Sequence, residues 1–561
     1  MKIYFSDEQI SNNQNLNGGK TNLIKKLLTL SFIISIFGFV IVLRLYELNI
    51  TNYNSQKEHK LSKTVSSSDR GFIFDRNHRI LASNIFSYKL LAFPRNINNP
   101  EQIAKILKSY LPNINKNTVK TRISDKSKVE VVVAKNITAP TAKKINDIGI
   151  PGLKFKEVKK RFYPHKNLSS HVIGHTNNKS VGVYGIEKYY NNELSKGENI
   201  ILSIDIAVQY AVREELKKSL HSFNAKSATA IIADIETGEI LSLVSLPDFN
   251  PNISINPLRS SYRNTATLNL YEMGSTFKVF TVAAALQNSN IALTSNFDAS
   301  KPLKISNFYI KDYHAENRVL SMKEIFLKSS NIGSSLIALE IGENKLKNFY
   351  NKVGFLNYVN LDLSEISKPK YPINWGEIET ATLSFGHGIS ITPMHMIQAA
   401  IKVFSQENPT KISIKKQINI KINKTDEIIS ETNRDIITNL MEANVLNGTA
   451  KKARIDGYHI GGKTATAEKS DINGYDKNRL VSSFLGIFPA NKPKFVTLVL
   501  FDEPSFSKNK FTLTATGGNT AAPTTANIIR RIAPLIGLSK SFDKDLELLV
   551  KNKDRLNFVY Y

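Results

Sequence analysis

The sequence contains no cysteine in its 561 residues, which excludes disulfide bonds and catalysis by a thiol. It also lacks a His-x-x-x-His pair that includes an acid, so no metal site and no cofactor are predicted. Acidic residues are scarce, because 48 Asp and Glu accompany 75 Lys and Arg, for a net charge of +27. A basic surface can attract nucleic acid or anionic lipid. The basic residues are spread from end to end without a nucleic-acid-binding motif, so we favour general lysine richness and expect no nucleic-acid partner.

One long apolar run interrupts this basic chain. Residues 27–43 are uncharged, and with Leu23 and Ile24 the run reaches about 20 residues, enough for a helix to cross a bilayer. Lysines precede the run, so the positive-inside rule puts the N-terminus in the cytoplasm. We therefore predict a cytoplasmic tail at 1–22 and a transmembrane signal anchor at 23–43. The alternatives are a buried soluble helix or a cleaved signal peptide, which normally has a shorter apolar region and a small-x-small cleavage site.

Residues 44–220 form a region without a recognisable catalytic constellation. Strands are predicted near Arg70–Asn77 and at Leu90–Phe93, and short helical patterns occupy 101–125 and 138–148. Two acids stand out, Asp75 and Glu187, and each lies in a turn-rich stretch without a second acid nearby. We interpret both as structural rather than catalytic. Apolar residues at helical spacing then predict a helix that leads into the next region (Val208, Ala211, Val212, Leu216, Leu220).

The pattern of residues 221–538 indicates an α+β domain. The apolar strand Ala228–Ile235, a short turn and the apolar strand Ile240–Leu246 predict a hairpin, and three later strands are predicted. Residues 275–450 are mainly helical in pattern. Strands at both ends with helices between them predict one antiparallel sheet covered by helices, followed by a charged C-terminal tail at 539–561. The later strands are Tyr458–Thr464, Val481–Phe488 and Phe495–Phe501.

The motif Gly274-Ser275-x-x-Lys278 precedes an apolar, alanine-rich helical run. Residues i and i+3 share a helix face, so Lys278 is predicted to lie beside the Ser275 hydroxyl. A lysine whose pKa is lowered can take the serine proton and so activate the nucleophile. Ser-x-x-Lys is common in a lysine-rich chain, and further copies begin at Ser367, Ser413, Ser505 and Ser541 among others.

Two later motifs distinguish the Ser275 copy from the others. They are Ser329-Ser330-Asn331 and Lys463-Thr464-Ala465-Thr466. Ser-x-x-Lys, Ser-x-Asn and Lys-Thr-Gly occur in this order in penicillin-binding proteins and serine β-lactamases. Here the third motif carries Ala465 in place of glycine.

With these motifs, nearly the whole chain resembles a class B penicillin-binding protein, and more closely the cell-division type than the elongation type. Glu272, Asn331 and the stretch 516–523 favour the division type, and Met273 stands where the family usually has proline. The resemblance implies a single N-terminal transmembrane helix and an elongated mixed pedestal or dimerisation domain. A transpeptidase domain like that of the serine β-lactamases, an antiparallel sheet sandwiched by helices, should follow.

The resemblance also implies the chemistry, a D,D-transpeptidation that cross-links peptidoglycan stem peptides during septal cell-wall synthesis. Ser275, Lys278, Ser329 and Lys463 should be catalytic. Asn331, Thr464 and Thr466 should bind the donor peptide, with the backbone N–H groups of Ser275 and Thr466 forming the oxyanion hole.

The expected ligands are a D-Ala-D-Ala donor, an amine acceptor and β-lactams, which trap the serine. The expected location is the septal region of the bacterial inner membrane, with the catalytic domain in the periplasm. A membrane glycosyltransferase and other division proteins are the expected partners.

Three alternatives remain open at this point. The protein could be an elongation-type transpeptidase, a D,D-carboxypeptidase or β-lactamase in which water attacks the acyl-enzyme, or a non-catalytic β-lactam sensor or scaffold. In the last case Ala465 would mark decayed chemistry. We expect instead that Thr464 and Thr466 face the cleft while the Ala465 methyl points into the packing behind the strand. We interpret His387, in a Phe-Gly-His-Gly stretch, as a loop-packing residue.

Overall fold

The computed structural model describes residues 28, 31–32, 35–44, 69–253, 259–407, 409, 411–417, 427–471, 474–506 and 514–540. The predicted cytoplasmic tail, much of the predicted anchor and nearly all of the C-terminal tail lie outside these residues. Residues 35–44 are helical and exposed. Among the residues described, none of the helices combines the length and apolarity that crossing a membrane requires. The chain divides into two compact units after Ser68.

A five-stranded sheet organises the first part of the larger unit. Its central strand, β2, is 13 residues long, so the predicted strand at Leu90–Phe93 covers only its end. β3 and β4 pair with β2 in antiparallel fashion, and β1 pairs with both β2 and β7. The strands of this part are β1 (Ile73–Phe74), β2 (Ile80–Ala92), β3 (Val131–Ile137), β4 (Leu153–Phe162), β5 (His175–Thr176), β6 (Gly182–Tyr184) and β7 (Ile200–Ile201).

Helices cover one side of this sheet, because alternate residues of β2 such as Leu90 and Ala92 pack against them. Both predicted helical patterns are confirmed, and the first divides into two helices at Leu111. The α-helices are Pro100–Tyr110, Lys116–Ser124, Ala139–Asn146, Ser170–Ile173, Gly185–Tyr189 and Asn191–Ser195, and the 3-10 helices are Pro94–Asn96 and Lys166–Ser169.

The two acids of this part have structural partners. The Glu187 carboxylate is fully buried and accepts hydrogen bonds from the guanidinium groups of Arg70 and Arg161, each at 2.7 Å. Asp75 is also fully buried and accepts from the backbone N–H groups of Asn77 and Arg79, each at 2.8 Å. These contacts support the interpretation that both carboxylates stabilise the fold.

The second part contains the predicted antiparallel sheet, in the order β14-β15-β16-β8-β9. The predicted β9 strand is confirmed, and β8 and β16 differ from the prediction by one residue. β14 begins three residues later than predicted. β15 begins seven residues earlier than predicted, because the two strands continue into a long polar hairpin. The strands are β8 (Ser227–Asp234), β9 (Ile240–Leu246), β14 (Gly461–Asp471), β15 (Gly474–Phe488) and β16 (Phe495–Asp502).

Helices pack on both faces of this sheet. The helices Ile206–Ser222 and Ala521–Ile532 share a core with one set of strand residues, including Ala230 and Val499. The helices Lys278–Asn288, Pro393–Phe404 and Glu431–Asn447 share a larger core with the alternate set. The prediction of an antiparallel sheet between helices is therefore confirmed.

The regular structure of the described residues within 275–450 is mainly helical, as predicted, but it also includes two small antiparallel strand pairs. These are β10 (Asn296–Asp298) with β13 (Val319–Ser321), and β11 (Leu303–Ile305) with β12 (Phe308–Ile310). The remaining α-helices are Thr265–Leu268, Met322–Lys328, Asn331–Ile341, Glu343–Val353 and Glu377–Leu383, and the 3-10 helices are Ser260–Tyr262, Gly274–Phe277 and Lys451–Ala453.

Candidate active site

The first motif forms a tight turn that leads into a helix. Ser275 lies in the 3-10 helix Gly274–Phe277, and the α-helix begins directly afterwards at Lys278. Gly274 has φ of +55°, in the left-handed region that glycine adopts without strain. The helix then buries a continuous apolar run in the larger core, which fixes the turn at its start. Ser275 is therefore held half-buried at the beginning of a buried helix.

The amine of Lys278 lies at the centre of the first two motifs. Its Nζ atom is 3.1 Å from Ser275 Oγ and 3.2 Å from Ser329 Oγ. The same atom donates to the Ser329 carbonyl at 2.6 Å and to Asn331 Oδ1 at 2.8 Å. The Lys278 side chain is 1% exposed, so these four oxygen atoms replace its water shell. The structure therefore brings together the first two sequence motifs around one buried amine.

Burial lowers the pKa of Lys278 well below its ordinary value, the charge of Lys463 lowers it further, and Asp312 opposes the shift. Burial also lowers the pKa of Lys463, to about 7. Charging both amines in one buried site is unfavourable, so Lys278 is the amine that stays neutral. A neutral amine has a lone pair and can accept the proton of the Ser275 hydroxyl.

The second motif is held by a carboxylate that the sequence analysis did not identify. Ser329 ends the Met322–Lys328 helix with φ of +62°, and Ser330 caps the next helix by accepting from the Gly333 N–H. Asp312 accepts from the Ser330 hydroxyl at 2.7 Å and from the Ile332 N–H at 2.9 Å. Asp312 lies 18 residues before Ser330 in a loop, so local sequence patterns carry no signal for this contact.

The third motif supplies a second buried amine. Lys463 is fully buried in β14, and its Nζ atom donates to Ser329 Oγ at 2.8 Å. The same Nζ lies 5.8 Å from the centre of the Phe326 ring. Ser329 Oγ therefore contacts the amines of both Lys278 and Lys463. This hydroxyl can relay a proton between the two amines and any group bound beside them.

The two threonines of the third motif have other partners. Thr464 is buried, and its hydroxyl lies 2.8 Å from that of Thr449. Thr466 is exposed, and its hydroxyl accepts from the Gly517 N–H at 3.1 Å. Alternate residues of a strand point to opposite faces, so both threonines lie on the face opposite to Lys463. Their hydroxyls are therefore not part of the cluster formed around Ser329.

The methyl group of Ala465 faces the turn that carries the nucleophile. A Cβ atom placed on Gly274 would lie 3.5 Å from each of three β14 atoms, namely Ala465 Cβ, Ala467 Cβ and the Thr466 carbonyl oxygen. Ala465 is 3% exposed and its methyl is on the side of the nucleophile turn. The expected orientation, with this methyl behind the strand and Thr464 and Thr466 on the side of the nucleophile, is therefore wrong. β14 thus runs alongside the turn at van der Waals distance.

The other Ser-x-x-Lys copies that the structure describes completely do not form comparable pairs. The Ser367 hydroxyl donates to the Leu268 carbonyl at 2.8 Å, and the Ser413 hydroxyl donates to Asp362 at 2.6 Å. The copies at Ser505 and Ser541 extend beyond the described residues. Among the copies that the structure describes completely, Ser275 is the serine that contacts the lysine of its own motif.

Comparison with known protein families gives two matches. The model of the penicillin-binding protein transpeptidase domain matches residues 228–530. The model of the penicillin-binding protein dimerisation domain matches residues 65–203. The cluster around Ser329 lies within the first of these ranges.

Three relatives illustrate the similarity of whole chains. The chain is 33% identical to the probable peptidoglycan D,D-transpeptidase FtsI of Caulobacter vibrioides, over 84% of this chain and 82% of that protein. It is 29% identical to the peptidoglycan D,D-transpeptidase FtsI of Escherichia coli K12, over 79% and 80%. It is 30% identical to stage V sporulation protein D of Bacillus subtilis, over 84% and 79%.

Proposed function

Because the chain belongs to the penicillin-binding protein transpeptidase family, we propose that it is a septal peptidoglycan D,D-transpeptidase that works through a Ser275 acyl-enzyme. One observation carries the proposed chemistry. The Lys278 amine, whose pKa burial holds well below its ordinary value, lies 3.1 Å from Ser275 Oγ and 3.2 Å from Ser329 Oγ. A base, a nucleophile and a proton relay are thus in contact before substrate binds.

In the acylation step, Ser275 Oγ attacks the carbonyl carbon between the two D-Ala residues of a stem peptide. Lys278 accepts the hydroxyl proton, so the tetrahedral intermediate carries its negative charge on the former carbonyl oxygen. We assign the backbone N–H groups of Ser275 and Thr466 to the oxyanion hole. The close approach of Gly274 to the Thr466 carbonyl supports this pairing. Loss of one such donor costs on the order of a hundredfold in rate.

Collapse of the intermediate breaks the C–N bond and releases D-Ala, whose nitrogen needs a proton. Ser329 Oγ contacts both Lys278 and Lys463, so it is placed to pass that proton to the leaving amine. Lys278 then returns the proton that it took from Ser275 to Ser329 and is neutral again. Lys463 stays charged and supports negative charge in the site. An amine of a neighbouring stem peptide then attacks the ester carbonyl, with Lys278 again acting as the base. The amide cross-link forms as the C–O bond to Ser275 breaks, and Lys278 returns the amine proton to Ser275 Oγ.

Three polar side chains are assigned to substrate binding. Asn331 holds the Lys278 amine through Oδ1, while its amide group also donates to the Lys311 carbonyl at 3.2 Å. We assign it to the donor peptide backbone. We assign Thr464 and Thr466 to the terminal carboxylate of a peptide that lies along β14, which is an edge strand of the sheet. Their hydroxyls point to the face opposite to Lys463, so the carboxylate must reach that face and replace their contacts with Thr449 and Gly517.

The proposed setting rests on the sequence pattern and on the family to which the chain belongs. We propose that the segment 23–43 anchors the chain once in the inner membrane, that residues 44–220 form the pedestal, and that residues 221–538 form the transpeptidase domain in the periplasm. A separate membrane glycosyltransferase then supplies new glycan strands, and other division proteins recruit the enzyme to the septum. Protease treatment of spheroplasts tests this orientation, because the catalytic domain should be digested from outside.

Labelling with a fluorescent penicillin tests the acyl-enzyme. The wild type should label, Ser275→Ala should not, and Ser505→Ala is the matched control because it alters an exposed serine of another Ser-x-x-Lys copy. Incubation with lipid II and a glycosyltransferase then tests the acceptor. Cross-linked peptide dimers are expected, whereas release of D-Ala with only free tetrapeptide would identify a carboxypeptidase. Labelling of Ser275→Ala at the wild-type level would overturn the proposal.

A further inference from the structure

A second polar cluster lies next to the nucleophile turn and is centred on Glu272. Its carboxylate accepts a hydrogen bond from the Tyr475 hydroxyl at 2.9 Å and from the Gly388 N–H at 3.2 Å. The second carboxylate oxygen lies 3.3 Å from His387 Nδ1. The His387 ring stacks on the Tyr475 ring, with the ring centres 4.4 Å apart and the planes at 28°. His387 therefore does pack its loop, as predicted, but onto a carboxylate and a tyrosine.

The loop that carries His387 approaches the nucleophile turn very closely. A Cβ atom on Gly386 would lie 2.5 Å from the Gly274 carbonyl oxygen and 2.7 Å from the Phe277 ring. Gly386 and Gly388 have φ of +77° and +82°, so two glycines shape the loop on either side of His387. The loop backbone therefore lies against the backbone of Gly274 and leaves no room for a side chain at position 386.

Tyr475 belongs to the same hairpin as Lys463. It pairs with Ser470 near the end of the hairpin, whereas Lys463 lies at its base. At a rise of about 3.3 Å per residue, the two attachments are roughly 20 Å apart along β14. Lys463 joins the base to Ser329, and Tyr475 joins the far end to Glu272. The stretch of β14 that contacts Gly274 lies between these two attachments.

The Glu272 side chain is only 13% exposed, so its hydrogen bonds must offset the cost of removing a carboxylate from water. Burial, followed by the charge of Glu272, raises the pKa of Tyr475, so this hydroxyl stays protonated and donates. The carboxylate thus joins three segments, the nucleophile turn, the 385–388 loop and the β14–β15 hairpin. The Gly388 and Tyr475 contacts span 116 and 203 residues of sequence.

We propose that Glu272 is a positioning residue for acyl transfer. It holds the far end of the β14–β15 hairpin and the His387 loop against the Ser275 turn, and it thereby sets the distance between that turn and β14. The inference rests on the proposed function of Ser275. In the part of the chain that the structure describes, the Glu272 side chain does not contact Ser275, Lys278 or Ser329. Its effect must therefore pass through Gly274 and β14. Its removal should slow the chemical step more than it weakens reversible binding.

The experiment measures acylation of the full-length protein by a fluorescent penicillin, and it separates the reversible dissociation constant from the acylation rate constant. Glu272→Ala should lower the rate constant roughly tenfold or more, because small misplacements at a reacting centre are costly. Glu272→Gln keeps an acceptor oxygen and should restore most of that loss. Tyr475→Phe should slow acylation, and adding it to Glu272→Ala should slow the reaction little further, because the two groups are coupled.

The controls separate the two proposals. Wild type and Ser275→Ala are run beside the variants, and failure of the wild type to acylate would overturn the function itself. Glu101→Ala removes a carboxylate that pairs with Lys116 and Lys120 in the first part of the chain, and it should leave the rate unchanged. Acylation by folded Glu272→Ala at the wild-type rate would overturn the inference alone. The inference would also be overturned if Glu272→Ala and Glu272→Gln lowered the acylation rate equally and only in proportion to the loss of folded protein.

Discussion

Lys463 Nζ lies 2.8 Å from Ser329 Oγ although the two residues are 134 positions apart in sequence. The contact joins β14, an edge strand of the sheet, to the end of the Met322–Lys328 helix. Lys463 is fully buried there, and that burial lowers its pKa to about 7. The positive charge of Lys463 therefore lowers the stability of the fold, whereas it supports the proposed reaction.

Replacing Lys463 with methionine should abolish acylation and stabilise the fold. Between pH 7 and about 10.4, an ordinary lysine in the unfolded chain holds a proton that the buried amine lacks, so wild-type stability rises with pH across this window. Below pH 7 the full free-energy cost of burying the charged amine lowers the stability of the wild type. We expect Lys463→Met to gain about 2–4 kcal/mol at pH 7 and to lose this advantage towards pH 10. Thermal unfolding at both pH values measures it.

Lys469 on the same strand provides the matched control. Despite partial burial, which acts in the opposite direction, contacts with Asp502 and Glu503 raise its pKa. Lys469→Met should therefore destabilise the protein at pH 7. An equal stability gain for Lys463→Met at both pH values, or a gain for Lys469→Met, would contradict this account of the buried amine.

Asp312 should influence both the stability and the pH dependence of acylation. Its negative charge opposes the lowering of the Lys278 pKa, so Asp312→Asn should lower that pKa further. The neutral amine then forms at lower pH, and the rising limb of the acylation profile should shift to lower pH. Asp312→Ala should in addition lose the hydrogen bonds that it accepts at the start of the Asn331–Ile341 helix, at a cost of about 1 kcal/mol. A shift to higher pH in Asp312→Asn would contradict the assignment.

Gly274→Ala tests why a glycine precedes the nucleophile. The reason is either its left-handed backbone conformation or a lack of space for a side chain next to β14. A Cβ atom there would meet β14 only at ordinary van der Waals distance, but the φ of +55° is unfavourable for alanine. We expect a loss of about 1–2 kcal/mol in stability from the left-handed backbone. Ala465→Gly should not rescue it, because the Ala465 methyl is not the obstacle. Urea unfolding of the single and double variants measures the coupling, and a full rescue would show that crowding dominates.

Local patterns predicted the features that depend on neighbouring residues. The spacing of Ser275 and Lys278 predicted their contact, which the structure forms between the 3-10 helix and the start of the α-helix. The apolar strands of the β8–β9 hairpin are also where the sequence indicates. The order of the three motifs pointed to their meeting, but only through resemblance to a family. Nothing in the intervening sequence specifies a distance between Lys463 and Ser329.

Features that depend on tertiary packing were missed for identifiable reasons. Asp312 lies in a loop without periodicity, so its contact with Ser330 exists only once the chain folds back. The β14–β15 hairpin continues into polar residues, and a strand prediction based on apolar alternation stops near Val481. Glu272 served only as a family marker, because its partners His387 and Tyr475 come from two distant segments.

The shared burial of Lys278 and Lys463 couples ligand capture to proton exchange with the solvent. An anion that settles beside Lys463 favours the ammonium form and raises a pKa that stands at about 7 in the free protein. Binding of an anionic ligand at slightly alkaline pH is therefore accompanied by uptake of a fraction of a proton. By thermodynamic linkage, a lower pH then increases the affinity for that ligand. The calorimetric heat of association will consequently depend on the ionisation enthalpy of the buffer.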